Sequence, residues 1–271
     1  MKTISSWHVG VAAEAYTAAV FARYGYDVSV QYGANQPEYD LIAVSGDKML
    51  KISVKGSAGE FYTPRAVTEF MARMIDPQIG EQMADFACGT GGFLTSWLSE
   101  LKKKVQTTED EYTYSHSIYG IEKKQFPYML CITNMLLHYL DVPRVFHDNS
   151  LLRDVLDCTT DDQFDVILMN SPYGGSEKTE VKNHFPADLA SSETADLFMS
   201  VIMYRLKETG RAVVILPDGF LFGTDNAKIN IKKKLLSEFN LHTVIRMPSS
   251  VFSPYTSITK NILFFDRTGP T

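Results

Sequence analysis

From residue 82 onward, short apolar runs alternate with stretches whose apolar residues recur every three to four positions. The runs at 82–86, 117–121, 164–169, 211–216, 241–247 and 261–265 are rich in Val, Ile, Phe and Leu, the pattern of buried strands. Helical spacing occupies 64–75, 92–101, 126–140, 194–206 and 227–239. The first of these helices is expected to open with Thr63 as N-cap and Pro64 at its first helical position. The segment 126–140 is apolar nearly all round, which predicts a buried layer helix. The polar stretch 102–115 reads as a loop. Strands alternating with helices imply a doubly wound, mostly parallel α/β sheet. The last two strands have no helix between them and are expected to pair antiparallel at one edge.

The pattern before residue 57 differs. An Ala-rich helix at 9–24 precedes strands at 27–31, 40–44 and 49–54, and a flexible junction follows at Gly56-Ser57-Ala58-Gly59. Two domains are therefore expected, over 1–56 and 57–271.

Composition narrows the class. The 271 residues are 45% hydrophobic and 21% charged, an ordinary globular balance. No apolar run approaches the roughly 18 residues of a membrane span, and MKTISSWHVG lacks a signal peptide's apolar core. Three cysteines, Cys88, Cys131 and Cys158, suggest no disulfide framework, so a cytoplasmic location is expected. The net charge is −6, whereas a chain that grips nucleic acid alone carries a basic field. The lysine runs at 102–104, 123–124 and 232–234 read as solvated helix faces. If the substrate is nucleic acid, most of the phosphate grip comes from elsewhere.

Candidate chemistry sits at the ends of the predicted strands. "ADFACGTGGF" (84–93) is strand, Gly-rich turn and helix start, a common place for a nucleotide-like ligand. Glu122 ends the next strand, where a carboxylate can accept ribose hydroxyls or cap the following helix. In "HDNSL", Asp148 or Asn149 could read an adenine amino group or simply make a turn. The strand at 164–169 runs into Asn170-Ser171-Pro172-Tyr173. A turn is needed there in any case, but an amide and an aromatic ring also suit a flat, amino-bearing ligand.

In order, "GEFYTPRAV" (59–67), "DFACGTGGF" (85–93), "YGIE" (119–122), "NSPY" (170–173), "DLFM" (196–199) and "GRAVVILPDGFLF" (210–222) resemble the N-6 adenine-specific DNA methyltransferases, and most closely the modification subunits of type I restriction–modification systems. The resemblance implies a seven-stranded fold that uses S-adenosylmethionine. It places Glu60, Phe61, Tyr62, Thr63, Pro64 and Arg65 over the cofactor's methionine end. Asp85, Gly89, Thr90, Gly91 and Gly92 fall around its amino acid moiety, and Glu122 at the ribose. No metal is implied. In the family's Asn-Pro-Pro-aromatic tetrad, the amide oxygen and a backbone carbonyl accept the two hydrogens of the adenine amine, freeing its lone pair. The ring stacks on a flipped base. Asn170, Ser171, Pro172 and Tyr173 match those positions, with serine where the family has proline. The carbonyl survives and the fixed φ does not. The serine hydroxyl could also compete for Asn170 or the local backbone. DNA and a specificity subunit carrying target recognition are the implied partners, with a restriction subunit beside them. The first 56 residues resemble instead the first half of a restriction-endonuclease-like domain, with Glu14, Asp40 and Lys55 in its acid and lysine positions. Ser53 stands where a second acid belongs, so a structural remnant is expected. Two further readings stay open: a cofactor- or partner-binding module without catalysis, and a methyltransferase acting on a protein amide.

Overall fold

The computed structural model describes residues 6–30, 39–52, 62–252, 256 and 258–270. They fall into two compact units, Met1–Glu60 and Phe61–Thr271. In the first, α1 (Ser6–Arg23) precedes β1 (Asp27–Val30), β2 (Leu41–Ser45) and β3 (Lys48–Ile52), an antiparallel sheet in the order β1-β2-β3. Leu41 and Ala43 alternate inward along β2 and are fully buried, as period-two patterning requires. Glu14 is half-buried on α1, and the Asp40 backbone donates to the Ile52 carbonyl (2.8 Å) at the mouth of the sheet. Ser53, Lys55 and the junction 56–59 lie outside the described residues.

The second unit contains α2 (Arg65–Ile75), β4 (Met83–Asp85), α3 (Gly92–Leu101), α4 (Thr108–Ser115), β5 (Ile118–Glu122), α5 (Gln125–Leu137), β6 (Val145–His147) and β7 (Phe164–Asn170). There follow a short α6 (Thr179–Lys182), α7 (Thr194–Arg205), β8 (Leu206–Pro217), α8 (Asp218–Phe222), α9 (Asn226–Glu238), β9 (Asn240–Arg246) and β10 (Lys260–Asp266). Seven strands form one sheet in the order β6-β5-β4-β7-β8-β10-β9. The last two strands pair antiparallel at one edge, as expected. It is β10, inserted between β8 and β9, that runs against both neighbours.

Alternation along the central strands divides the core in two. Ile167, Met169, Ala212 and Val214 face α7 and α9, while Val166, Leu168, Val213 and Ile215 face α2, α3 and α5. Two expectations fail here. The segment 102–115 is not a loop: it holds a 3-10 turn at Lys102–Lys104 and then α4. Thr107 and Asp110 form a reciprocal capping box there, a Thr-x-x-acid signal present in the sequence. The helix α5 is not buried all round. It buries Pro127, Cys131 and Met135 and leaves Met129 and Leu136 half exposed. It covers β5 and β6 at the sheet's edge, where no strand lies beyond to bring up another helix. The helix buried on nearly every side is α7, over the sheet's centre.

The lysine runs are occupied locally. Lys102, Lys103 and Lys104 pair with Glu111, Glu100 and Asp76, Lys123 with Glu177, and Lys234 with Glu238. No helix among the described residues is long and apolar enough to cross a membrane.

Candidate active site

Three neighbouring parallel strands, β5, β4 and β7, end in Glu122, Asp85 and Asn170. Their carboxyl ends open on the same side, where open α/β sheets bind ligands.

Asp85 is 1% exposed, and its Oδ1 accepts from the Ala87 amide (3.1 Å). Burial pushes its carboxyl up to about 8; the Ala87 hydrogen bond opposes this and the nearby Glu122 charge adds to it. A carboxyl held in this way favours a cation as its partner. Glu122 braces the Gly-rich turn: Oε2 accepts from Gly89 N (2.9 Å) and Oε1 from Lys124 N (2.7 Å). It is the loop's anchor and does not cap α5, whose N-cap is Lys124 without a side-chain cap bond, and a carboxylate with two such bonds still has lone pairs for a hydroxyl. The Thr90 carbonyl accepts from Asn134 Nδ2 (3.2 Å). Gly89 and Gly91 have φ of +55° and +85°, which glycine adopts without strain. At Gly91 a Cβ would stand 2.8 Å from Cys131 Sγ, so this glycine admits α5 against the turn. It does not line the cavity.

A cavity at the tips of β4 and β7 is lined by Asp85, Ala87, Cys88, Gly89 and Thr90 and by Tyr62, Thr63 and Asn170. Thr68, Gly92 and Phe93 complete it. Glu122 stands behind the Gly-rich turn and does not line the cavity. Thr68 is the member that the sequence reading missed, while Ala87, Cys88 and Phe93 fall within the predicted 85–93 stretch without being singled out. Thr68 lies on the inward face of α2 and accepts from Ser96 Oγ (2.8 Å). Cys88, hydrogen-bonded to Cys131 and buried, has its thiol pKa pushed up and forms a neutral wall.

Thr63 is not the N-cap of α2. Pro64 holds that position in extended conformation (ψ 137°), and helical geometry starts at Arg65. The Thr63 hydroxyl instead accepts from Asn170 Nδ2 (2.9 Å). With its nitrogen held, Asn170 turns its Oδ1 to a position where it has no hydrogen-bond partner among the described residues. Ser171 is buried, and its amide donates to Ile215 O over 3.3 Å. The Ser171 hydroxyl bonds neither Asn170 nor the local backbone, so the competition expected from serine is not observed. Pro172 is exposed and Tyr173 half-buried.

Other predicted residues stand apart from the cavity. Arg65 is exposed and pairs with Glu69 (2.6 Å). Asp148 and Asn149 accept from the amides of Asn149 (2.7 Å) and Leu151 (3.2 Å), building their own turn. Glu60 and Phe61 lie outside the described residues.

The family model for N-6 DNA methylases matches residues 49–271. The type I restriction enzyme EcoEI methylase subunit of Escherichia coli is 52% identical over 218 residues, which are 80% of this chain and 44% of that protein. The chain thus spans under half the length of this relative. Among solved structures, a modification subunit from Vibrio vulnificus YJ016 superposes with a TM-score of 0.77 at 46% identity, over 80% of this chain and 46% of that one. A chain of a type I R-M system described for its complex assembly and conformational transition gives 0.74 at 40% identity, over 79% and 44%.

Proposed function

Because the chain belongs to the N-6 DNA methylase family, we propose that it binds S-adenosylmethionine at the tips of β4, β5 and β7 and methylates the exocyclic amine of adenine in DNA. The cofactor would supply an electrophilic methyl on a sulfonium. The residues fit it. Asp85 receives the ammonium of the amino acid moiety, because a buried, proton-holding carboxyl gains most from a cation. The Gly89 and Thr90 backbone gives close approach, and Glu122 offers its remaining lone pairs to a ribose hydroxyl. Tyr62 and Thr63 close the opposite wall.

The observation that carries the reading is the Asn170 amide. Its nitrogen is tied to Thr63 and its oxygen has no partner among the described residues. A buried acceptor without a donor is costly, and an adenine amine is a donor that repays the cost. The Ser171 carbonyl takes the second amine hydrogen. Between them the two acceptors draw the nitrogen lone pair out of conjugation, and Tyr173 stacks on the base. Polar preorganisation and positioning carry this chemistry, with no carboxylate base. The role is that of a modification subunit, with target recognition and most of the phosphate grip supplied by a specificity subunit.

The test is transfer of labelled methyl from S-adenosylmethionine to adenine-containing duplex, with a specificity subunit present. Wild type should incorporate label at N6. Asn170→Ala should lose incorporation by at least about a hundredfold, the scale for a removed preorganised polar group, with its circular dichroism unchanged. Label on cytosine or protein, or equal rates in wild type and Asn170→Ala, would refute the reading.

A further inference from the structure

Lys260 opens β10 and stands opposite Pro217 of β8 in the antiparallel register. It is 1% exposed, and its Nζ has no hydrogen-bond partner among the described residues. Its neighbours are rings: Nζ lies 4.3 Å from the centroid of Tyr173 and 3.5 Å from that of Phe252. Both distances fall inside the range of a cation–π contact. The charged groups on adjoining elements are committed elsewhere. Asp218 accepts from Arg246 and Asn261. Burial lowers the Lys260 pKa to about 8.

A buried ammonium facing two rings is a costly device for filling space. Methionine would fill the same volume without a charge. The cost becomes intelligible from what the turn lacks. Ser171 leaves φ free, and its one backbone tie to β8 is long, 3.3 Å to Ile215 O. The ring that ends the turn is held from outside it. Tyr173 is half-buried against the core, and Lys260 is wholly buried. The ammonium is thus enclosed while part of Tyr173 stays exposed, and a stacked base would take that exposed part.

We propose that Lys260 is a positioning residue for the tetrad: clamped between Phe252 and Tyr173, it fixes the tyrosine ring where a flipped base must stack, supplying from β10 the rigidity that serine does not supply within the turn. The part concerning the base rests on the methyltransferase reading above. The hold on the ring does not.

Two measurements on the full chain separate these. Ring-flip rates of Tyr173, from 13C-labelled tyrosine assigned with Tyr173→Phe, need no activity. Lys260→Met keeps length and volume and should speed the flip about tenfold, the scale of a desolvated cation–π contact. If Lys260→Met does not fold, Phe252→Leu removes the other side of the clamp and should speed the flip likewise. An unchanged flip rate overturns the proposal. Where methyl transfer is measured with a specificity subunit, Lys260→Met should lower kcat about tenfold and leave cofactor affinity within about twofold. In a Ser171→Pro background the same substitution should cost only about twofold, because proline then fixes the turn. Equal losses in the two backgrounds overturn the compensation. A chain that transfers no methyl under any condition refutes the methyltransferase reading, while the flip rate still decides the role of Lys260.

Discussion

Asp85 answers to two environments. In the free chain, burial holds its carboxyl near 8, above the ordinary 3.8, so at pH 7 it carries a proton. A cationic ligand reverses the balance and drives that proton off. S-adenosylmethionine binding at pH 7 should therefore release close to one proton, and the release should fade as pH rises past 8. Calorimetry in buffers of different ionisation enthalpy measures it, and binding with no proton release would remove Asp85 from the ammonium site. The same shift acts on folding. The native state holds this proton more tightly than the unfolded chain, so the stabilisation is full below 3.8 and is lost as pH rises through about 8. Thermal melts of the free chain should show that decline, and Asp85→Asn should flatten it. Asp85 and Asn170 stand out in the sequence because their side-chain types suit the proposed chemistry. The Thr63 bond that orients Asn170 was not legible there, since the partners lie 107 positions apart and nothing local distinguishes that threonine from an N-cap. Lys260 was hidden for the same reason. A lysine at a strand start reads as surface until the strand's place in the sheet is known.

Among elements, the meeting of the Gly-rich turn with α5 leaves no room for a side chain. Gly91 has φ +85°, and an added Cβ would stand 2.8 Å from Cys131 Sγ and 3.1 Å from Met135 Cε. Gly91→Ala should cost about 2–4 kcal/mol, from left-handed strain and overpacking together. Cys131→Ala in the same chain should return part of that. Denaturant melts read both, and a loss below about 0.5 kcal/mol would show that the turn yields freely. Most element positions were legible because periods of two and of three to four are strong signals over short runs. The misses share one physical cause. α4 buries only Tyr114, so it has almost no apolar stripe and declares itself through its cap alone. α5 has the composition of an interior helix, but its place over the sheet's edge is set by strand order, which periodicity does not encode.

At the scale of the whole molecule, a net charge of −6 and lysines already paired with carboxylates leave little field for a polyanion. The chain alone should bind duplex DNA weakly, with a slope of log K against log salt shallower than about −2. With a specificity subunit the slope should steepen severalfold. Titrations at several salt concentrations decide it, and tight, steeply salt-dependent binding by the chain alone would mean that a basic surface has been missed. The front unit, 1–60, enters this balance only as a proposed structural remnant. Its Glu14 and Asp40 should be dispensable for any methylation.

The insertion of β10 between β8 and β9 also has a consequence in time. The strand bearing Lys260 is made roughly ninety residues after Tyr173, which at about 5–20 residues per second is a delay on the order of 4–20 s during synthesis. Once β8 is made, one of its sides stays unpaired until β10 emerges, and until then the proposed hold of Lys260 on Tyr173 is missing. A nascent chain can bring β4, β5 and β7 together long before it can place Lys260 against that ring. Slowing translation between β8 and β10 should prolong exposure of an apolar sheet edge, so the yield of folded protein, more than its final stability, is where codon choice in that stretch will register.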